Sequence, residues 1–161
     1  DIHSSDRARL RLEGARRALA EMGLPLPEAR IAFGDYSMDS SRAACHDLIT
    51  RAPETTAIMC HNDVQAFAAV QELQRMGLDV PRDISVTGFD DLEWARHLRP
   101  GLTTVRVPWG RMAQIAADML VAQLTGAAFR QSTTLEFDLV VRESTAPPRS
   151  LADQAPPAGS A

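Results

Sequence analysis

Three short polar triplets hold most of the chemistry in this chain: Gly34-Asp35-Tyr36, His61-Asn62-Asp63 and Phe89-Asp90-Asp91. Each directly follows an apolar run of four to six residues, RIAF, TTAIMC and ISVTG. Carboxylates, a carboxamide and aromatic rings at strand ends suit a polyol such as a sugar or nucleoside. Its hydroxyls need fixed donors and acceptors, and its C–H face needs an aromatic surface. Arg9 and Arg11, spaced on a helical stretch near the start, would join the same edge if a strand precedes them. Each residue also has a plain structural reading. Asn62 or Asp63 can cap the following helix, Asp90 and Asp91 can end a strand and cap a short helix, and Arg11 can be a solvated charge.

Other chemistry is poorly supported. Cys45-His46 and Cys60-His61 raise the question of a metal, but zinc ligands are usually two to four residues apart. Neighbouring residues point to opposite sides of a strand or diverge by about 100° on a helix, so both cannot easily reach one ion. Buried thiols are the expectation, with no metal and no cofactor. Phosphate loops, nucleophile elbows and H-E-x-x-H pairs are absent from the sequence. The Asp63, Asp90, Asp91 group lacks a nucleophile to serve, so no catalytic residue and no enzyme is expected.

The elements that must position these triplets alternate. Helical periodicity over Asp6–Met22, with Ser4 or Ser5 as cap and Gly23 as stop, precedes strand-like Arg30–Phe33. A second helix is expected from about Asp39 to Thr50, a strand at Thr55–Cys60, a third helix from about Val64 to Met76 and a strand at Ile84–Gly88. A short helix near Glu93–Leu98 and an extended run Leu102–Val107 follow. A long amphipathic helix starts at Pro108 and stops at Gly126, with strands expected at Thr133–Phe137 and Asp138–Arg142. Alternating strand and helix predicts an α/β fold, a doubly wound parallel sheet with helices on both faces. Ligands of such sheets bind beyond the carboxyl ends of the strands, where the three triplets fall.

The 161 residues suit one domain of ordinary size, with 45% hydrophobic residues to fill a core. A net charge of −4 argues against this surface holding nucleic acid by itself, since phosphate binding needs clustered Lys and Arg. No apolar run is long enough for a membrane span, the opening residues lack a signal-peptide core, and a cytoplasmic location is expected. From Ala146 onward the Pro/Ala-rich composition predicts a disordered tail, 146–161.

Longer motifs carry a resemblance. TTAIMCHNDVQAFAAVQELQRMGLDVPRDISVTGFDD, LRPGLTTVRVPWGRMAQIAADMLVAQLTG and LVVRESTAPP together resemble the effector-binding domain of lactose-repressor-type (LacI/GalR) bacterial transcription regulators, a periplasmic-binding-protein-like type I fold. The likeness runs from about Ser5 to Pro148. It implies an effector-clamping arginine at Arg11 in R-L-R-L-x-G, a stacking aromatic at Tyr36, hydroxyl partners at Asn62 and Asp90, and a second pocket aromatic at Trp109. It implies dimer contacts on helices near 64–70 and 93–98, with Phe67 and Leu98 as candidates; core packing is the alternative for both. His61 stands where the family usually has Ala, and Ala68 where a small residue, often Gly, is common.

The resemblance also assigns the chain in parts. Residues 1–107 correspond to the carboxyl-terminal effector subdomain without its first helix and strand, 108–137 to a helix and strand of the amino-terminal subdomain, and 138–145 to the return strand. The implied function is the small-molecule effector-binding portion of a dimeric repressor, with a sugar as the expected effector. Operator DNA would be met only through a helix-turn-helix upstream of this chain. Sugar-binding proteins of ABC transporters share the fold and are the alternative.

Overall fold

A computed structural model describes residues 6–128 and 132–149. The order of elements is α1 (Asp6–Glu21), α2 (Met38–Arg51), β1 (Ala57–Met59), α3 (Asp63–Arg75), β2 (Ser85–Thr87), β3 (Thr104–Arg106), α4 (Trp109–Thr125) and β4 (Asp138–Val140). Two 3₁₀ turns, Glu28–Arg30 and Glu93–His97, complete it. The α/β alternation expected from the sequence is present.

Helix ends follow local chemistry. Ser37 starts α2 by accepting the Ser40 amide at 3.2 Å, and Asn62 starts α3 by accepting that of Gln65 at 2.9 Å. Gly23, Gly77 and Gly126 follow α1, α3 and α4 with φ of 71°, 80° and 71°, the left-handed stop that glycine adopts without strain. The expected cap of α1, Ser4 or Ser5, lies outside the described residues.

β1 and β2 pair in parallel, with Ile58 opposite Val86, and β3 and β4 pair antiparallel, with Val105 opposite Leu139. Parallel bridges Thr87–Thr103 and Asp90–Arg106 bring the β2 segment alongside the β3 segment. Ser144 ties these pieces from a fully buried position. Its hydroxyl donates to the Val86 carbonyl at 2.6 Å and accepts the Thr103 amide at 2.8 Å. The serine of the RESTAPP run is thus a sheet fastener.

Against the sheet, α2 offers Cys45 and Ile49 and α3 offers Ala66, Ala69, Val70 and Leu73, all in one core with Ile84, Val86 and Leu102. Leu73, Val86 and Leu102 are completely buried, each worth about 1.5–3 kcal/mol. Burial pushes the Cys45 thiol up to about 12 and the Cys60 thiol upward as well, so both stay protonated and inert. Both cysteines are free. His46 turns to Glu72, 3.1 Å away, and not to its cysteine neighbour.

Three expectations are corrected. Arg30 closes a 3₁₀ turn and Ile31–Phe33 is not part of a sheet, although the Arg51 guanidinium anchors the Ile31 carbonyl at 2.7 Å. Thr133–Phe137 is likewise outside any ladder. An apolar run becomes a strand only where a neighbour completes its hydrogen bonds, and no described strand flanks either segment. Ala146, where the disordered tail is expected to begin, is instead tied to the sheet, its amide and carbonyl both bonding the Ser85 hydroxyl, at 3.0 and 3.1 Å. Residues 150–161 of that tail lie outside the described residues. Among the described residues, no helix is long and apolar enough to cross a membrane.

Candidate functional site

The turn after β2 departs from ordinary backbone geometry. Asp90 has φ of 117° and Asp91 of 50°, a region L residues seldom enter without outside support. Support comes from several directions. The Asp90 amide donates to the Val105 carbonyl at 2.9 Å and the Leu92 amide to the Asp63 carboxylate at 2.7 Å. Asp91 spreads its two oxygens between Arg142, 2.6 Å away, and Arg106, 2.7 Å away, so one carboxylate grips both β3 and the segment after β4. Burial opposes the Asp91 charge, yet the two guanidiniums prevail and hold its carboxyl below the usual 3.8.

Asp63 underlies this turn. It is fully buried and accepts the Thr104 hydroxyl at 2.6 Å, while its amide donates to the Phe89 carbonyl. Burial raises its carboxyl above 3.8 against those hydrogen bonds. Gly88 must be glycine here, because a Cβ would overlap the Asp63 carboxylate and come within 2.9 Å of Leu102 Cδ2.

On this platform Asp90 faces Arg11, with Oδ1 4.0 Å from Nη2 and both side chains about four-fifths covered. Burial raises the Asp90 carboxyl and Arg11 counteracts it. The Arg11 guanidinium lies over the Phe89 ring, 3.5 Å from its centroid, and donates to the His61 carbonyl at 2.6 Å. His61 meets the edge of Tyr36, ring centroids 6.4 Å apart. Asn62 is almost fully buried; its Oδ1 serves the α3 cap, and its Nδ2 has no hydrogen-bond partner.

Arg11, Asn62, Asp90 and Tyr36 therefore gather around the ends of β1 and β2, on residues from four separate segments. Trp109 opens α4 with 45% of its surface exposed, and among the described residues no ring contact or hydrogen bond joins it to the other four. Phe67 packs on Trp94 with ring centroids 5.7 Å apart, and Leu98 packs against the core. Phe89 and the Arg106–Asp91–Arg142 bridge were not singled out by residue type. Phe89 stood inside a quoted triplet, but its role needs Arg11, far away in sequence, to land on its ring.

A family model for the periplasmic binding protein-like domain matches residues 1–145. The chain belongs to that family. Within it, the likeness is to the effector-binding domains of LacI/GalR-type transcription regulators. The HTH-type transcriptional regulator CelR of Thermobifida fusca is 37% identical over 135 residues, 83% of this chain and 40% of that protein. A solved transcriptional regulator CelR–cellobiose complex matches with a TM-score of 0.81 at 36% identity, covering 85% of this chain and 42% of the other. The dimeric Lac repressor with an 11-residue C-terminal deletion matches with a TM-score of 0.82 at 32% identity, over 91% of this chain and 53% of that one. The chain thus spans about 40% of the length of CelR.

Proposed function

We propose that this chain is part of the effector-binding domain of a sugar-responsive, dimeric, cytoplasmic transcriptional repressor, and that it has no enzymatic role. In this reading residues 1–107 form the carboxyl-terminal subdomain, 108–137 belong to the amino-terminal one, and 138–145 return. The ligand sits against Arg11, Tyr36, Asn62 and Asp90, with Trp109 supplied from the start of α4. Phe67 and Leu98 take part in the contact between protomers.

The observation that carries this reading is the pairing of Asp90 and Arg11 on a strained turn, beside the buried, unpaired Nδ2 of Asn62. A carboxylate, a guanidinium and a spare carboxamide N–H can bind adjacent hydroxyls of an uncharged sugar. Strain held by many contacts keeps the acceptor preorganised before the ligand arrives. Ligand binding then favours one arrangement of subdomains through differential affinity, and that preference reaches operator DNA through a helix-turn-helix elsewhere in the full-length protein.

Calorimetry on the full-length gene product with cellobiose, lactose, galactose and ribose tests the site. At least one sugar is expected to bind, and Asp90→Ala or Arg11→Ala to weaken it by ten- to a hundredfold, about 1.5–3 kcal/mol for a charged hydrogen bond. Equal binding by wild type and the double variant would place the ligand elsewhere. The relatives named above are regulators, which favours a repressor over a transport protein, and a helix-turn-helix encoded in the same reading frame would decide between them.

A further inference from the structure

His61 ends the β1 segment immediately before the Asn62 cap, and its half-buried ring lies between two other segments. Nη1 of Arg11, from α1, is 3.4 Å from its Nδ1, and Tyr36, from the stretch before α2, meets the ring edge-on. The same Nη1 donates to the His61 carbonyl, so the guanidinium is fastened to this residue at both backbone and ring. A guanidinium has donors only. The imidazole nitrogen beside it must offer a lone pair, which puts the ring proton on Nε2.

We propose that His61 is a further effector-contacting, specificity-determining side chain, which Arg11 holds as the neutral Nε2–H tautomer so that Nε2–H donates to a ligand oxygen. The inference rests on the site proposed above and names its chemistry more closely. Arg11, His61 and Asn62 supply donors while Asp90 supplies the acceptor, a set that fits an uncharged polyol rich in lone pairs and disfavours a cationic amino sugar. The imidazole also occupies space that a smaller side chain at this position would leave open, so it narrows the range of ligands.

A pH dependence follows. Among the described residues, the charged and titratable groups facing the ring are Arg11 and Arg7 from α1 and Tyr36, while Asp90 reaches Arg11 and Asp63 is committed to Thr104 and Leu92. Burial first, then the two arginines, hold the ring below its ordinary 6.5, which keeps it neutral at physiological pH. In acid, protonation would turn Nδ1 into an N–H directed at the guanidinium, and ligand affinity would fall. Protonation of Asp90 also weakens binding in acid, in wild type and His61 variants alike, so the difference between them isolates His61.

The test uses the full-length protein with isotope-labelled histidine. Nuclear magnetic resonance is expected to show the Nε2–H tautomer titrating below 6.5, with an upward move in Arg11→Gln; an Nδ1–H tautomer or an ordinary pKa overturns the pairing. In calorimetry with the same four sugars, His61→Ala is expected to lose about tenfold in affinity at neutral pH, the scale of one hydrogen bond. His61→Gln keeps a donor and is expected to stay within about threefold while weakening less than wild type as pH falls below 6.5 through the lowered His61 pKa. If Arg11→Ala abolishes binding but His61→Ala leaves both affinity and pH slope unchanged, the role of His61 fails and the site stands. If no sugar binds wild type, the sugar-site reading fails and takes the contact role of His61 with it, while the tautomer measurement still judges the pairing.

Discussion

Asn62 presents both of its amide atoms to different tasks: Oδ1 caps α3 at 2.9 Å from the Gln65 amide, and Nδ2 stays buried without a partner. Serine is an equivalent cap but has no carboxamide, so Asn62→Ser separates the two. We expect thermal stability to change by under about 1 kcal/mol, since the cap survives. Ligand affinity is expected to drop about tenfold, the value of one lost hydrogen bond. Loss of stability with unchanged affinity would reduce Asn62 to a cap, measurable by melting and calorimetry on one sample. The residue types and their places after apolar runs pointed to the three triplets with Arg9 and Arg11, and the family resemblance narrowed these to Arg11, Tyr36, Asn62 and Asp90. They were not enough for Phe89 under Arg11 or for the ring of His61 beside it, because those contacts join residues whose approach depends on how α1 docks on the strand ends.

At the level of elements, the turn after β2 is held by Asp91 more than by its own sequence. One carboxylate joins Arg106 of β3 to Arg142 beyond β4, with Asp91 and Arg142 largely covered and Arg106 half exposed. Asp91→Asn is expected to destabilise the fold by about 2–3 kcal/mol near neutral pH, less than a fully buried pair because of the Arg106 exposure. The folded carboxyl sits below its usual 3.8, so its stabilisation is present above that value and is lost as pH falls through the lower folded pKa. Urea unfolding from neutral pH to below 3.8 should therefore show the wild-type advantage constant at first and shrinking only at the acid end. Asp63 has the opposite sign: its raised carboxyl favours the fold in acid and this contribution fades as pH rises through its folded pKa. An advantage that stays unchanged as pH falls well below 3.8 would contradict the clamp. Helices were legible because caps, glycine stops and periodicity are local. The segments Ile31–Phe33 and Thr133–Phe137 were misread because apolar composition cannot reveal whether a neighbouring strand exists to complete a ladder.

For the whole molecule, the distribution of apolar surface is uneven. The core lies between α2, α3 and the paired strands, whereas no residue of α4 is buried and Leu120, Val121 and Leu124 are 57%, 59% and 78% exposed. Leu139 and Val141, in and beside β4, are 64% and 69% exposed. Exposed apolar residues along one helix face in water drive association unless another surface covers them. The 161-residue chain alone is therefore expected to self-associate with rising concentration and to bind a hydrophobic dye. Leu120→Lys with Leu124→Lys should shift it toward monomer in sedimentation, since neither leucine belongs to its own buried core. In the full-length protein the same pair should instead lower stability by several kcal/mol, because each leucine buried against the remaining domain contributes about 1.5–3 kcal/mol. Opposite outcomes from one double variant identify a face made for another part of the same protein. If the short chain were monomeric and dye-free, or the double variant harmless in the long one, α4 would be a solvent-facing helix and the assignment of 108–137 to a second subdomain would fall.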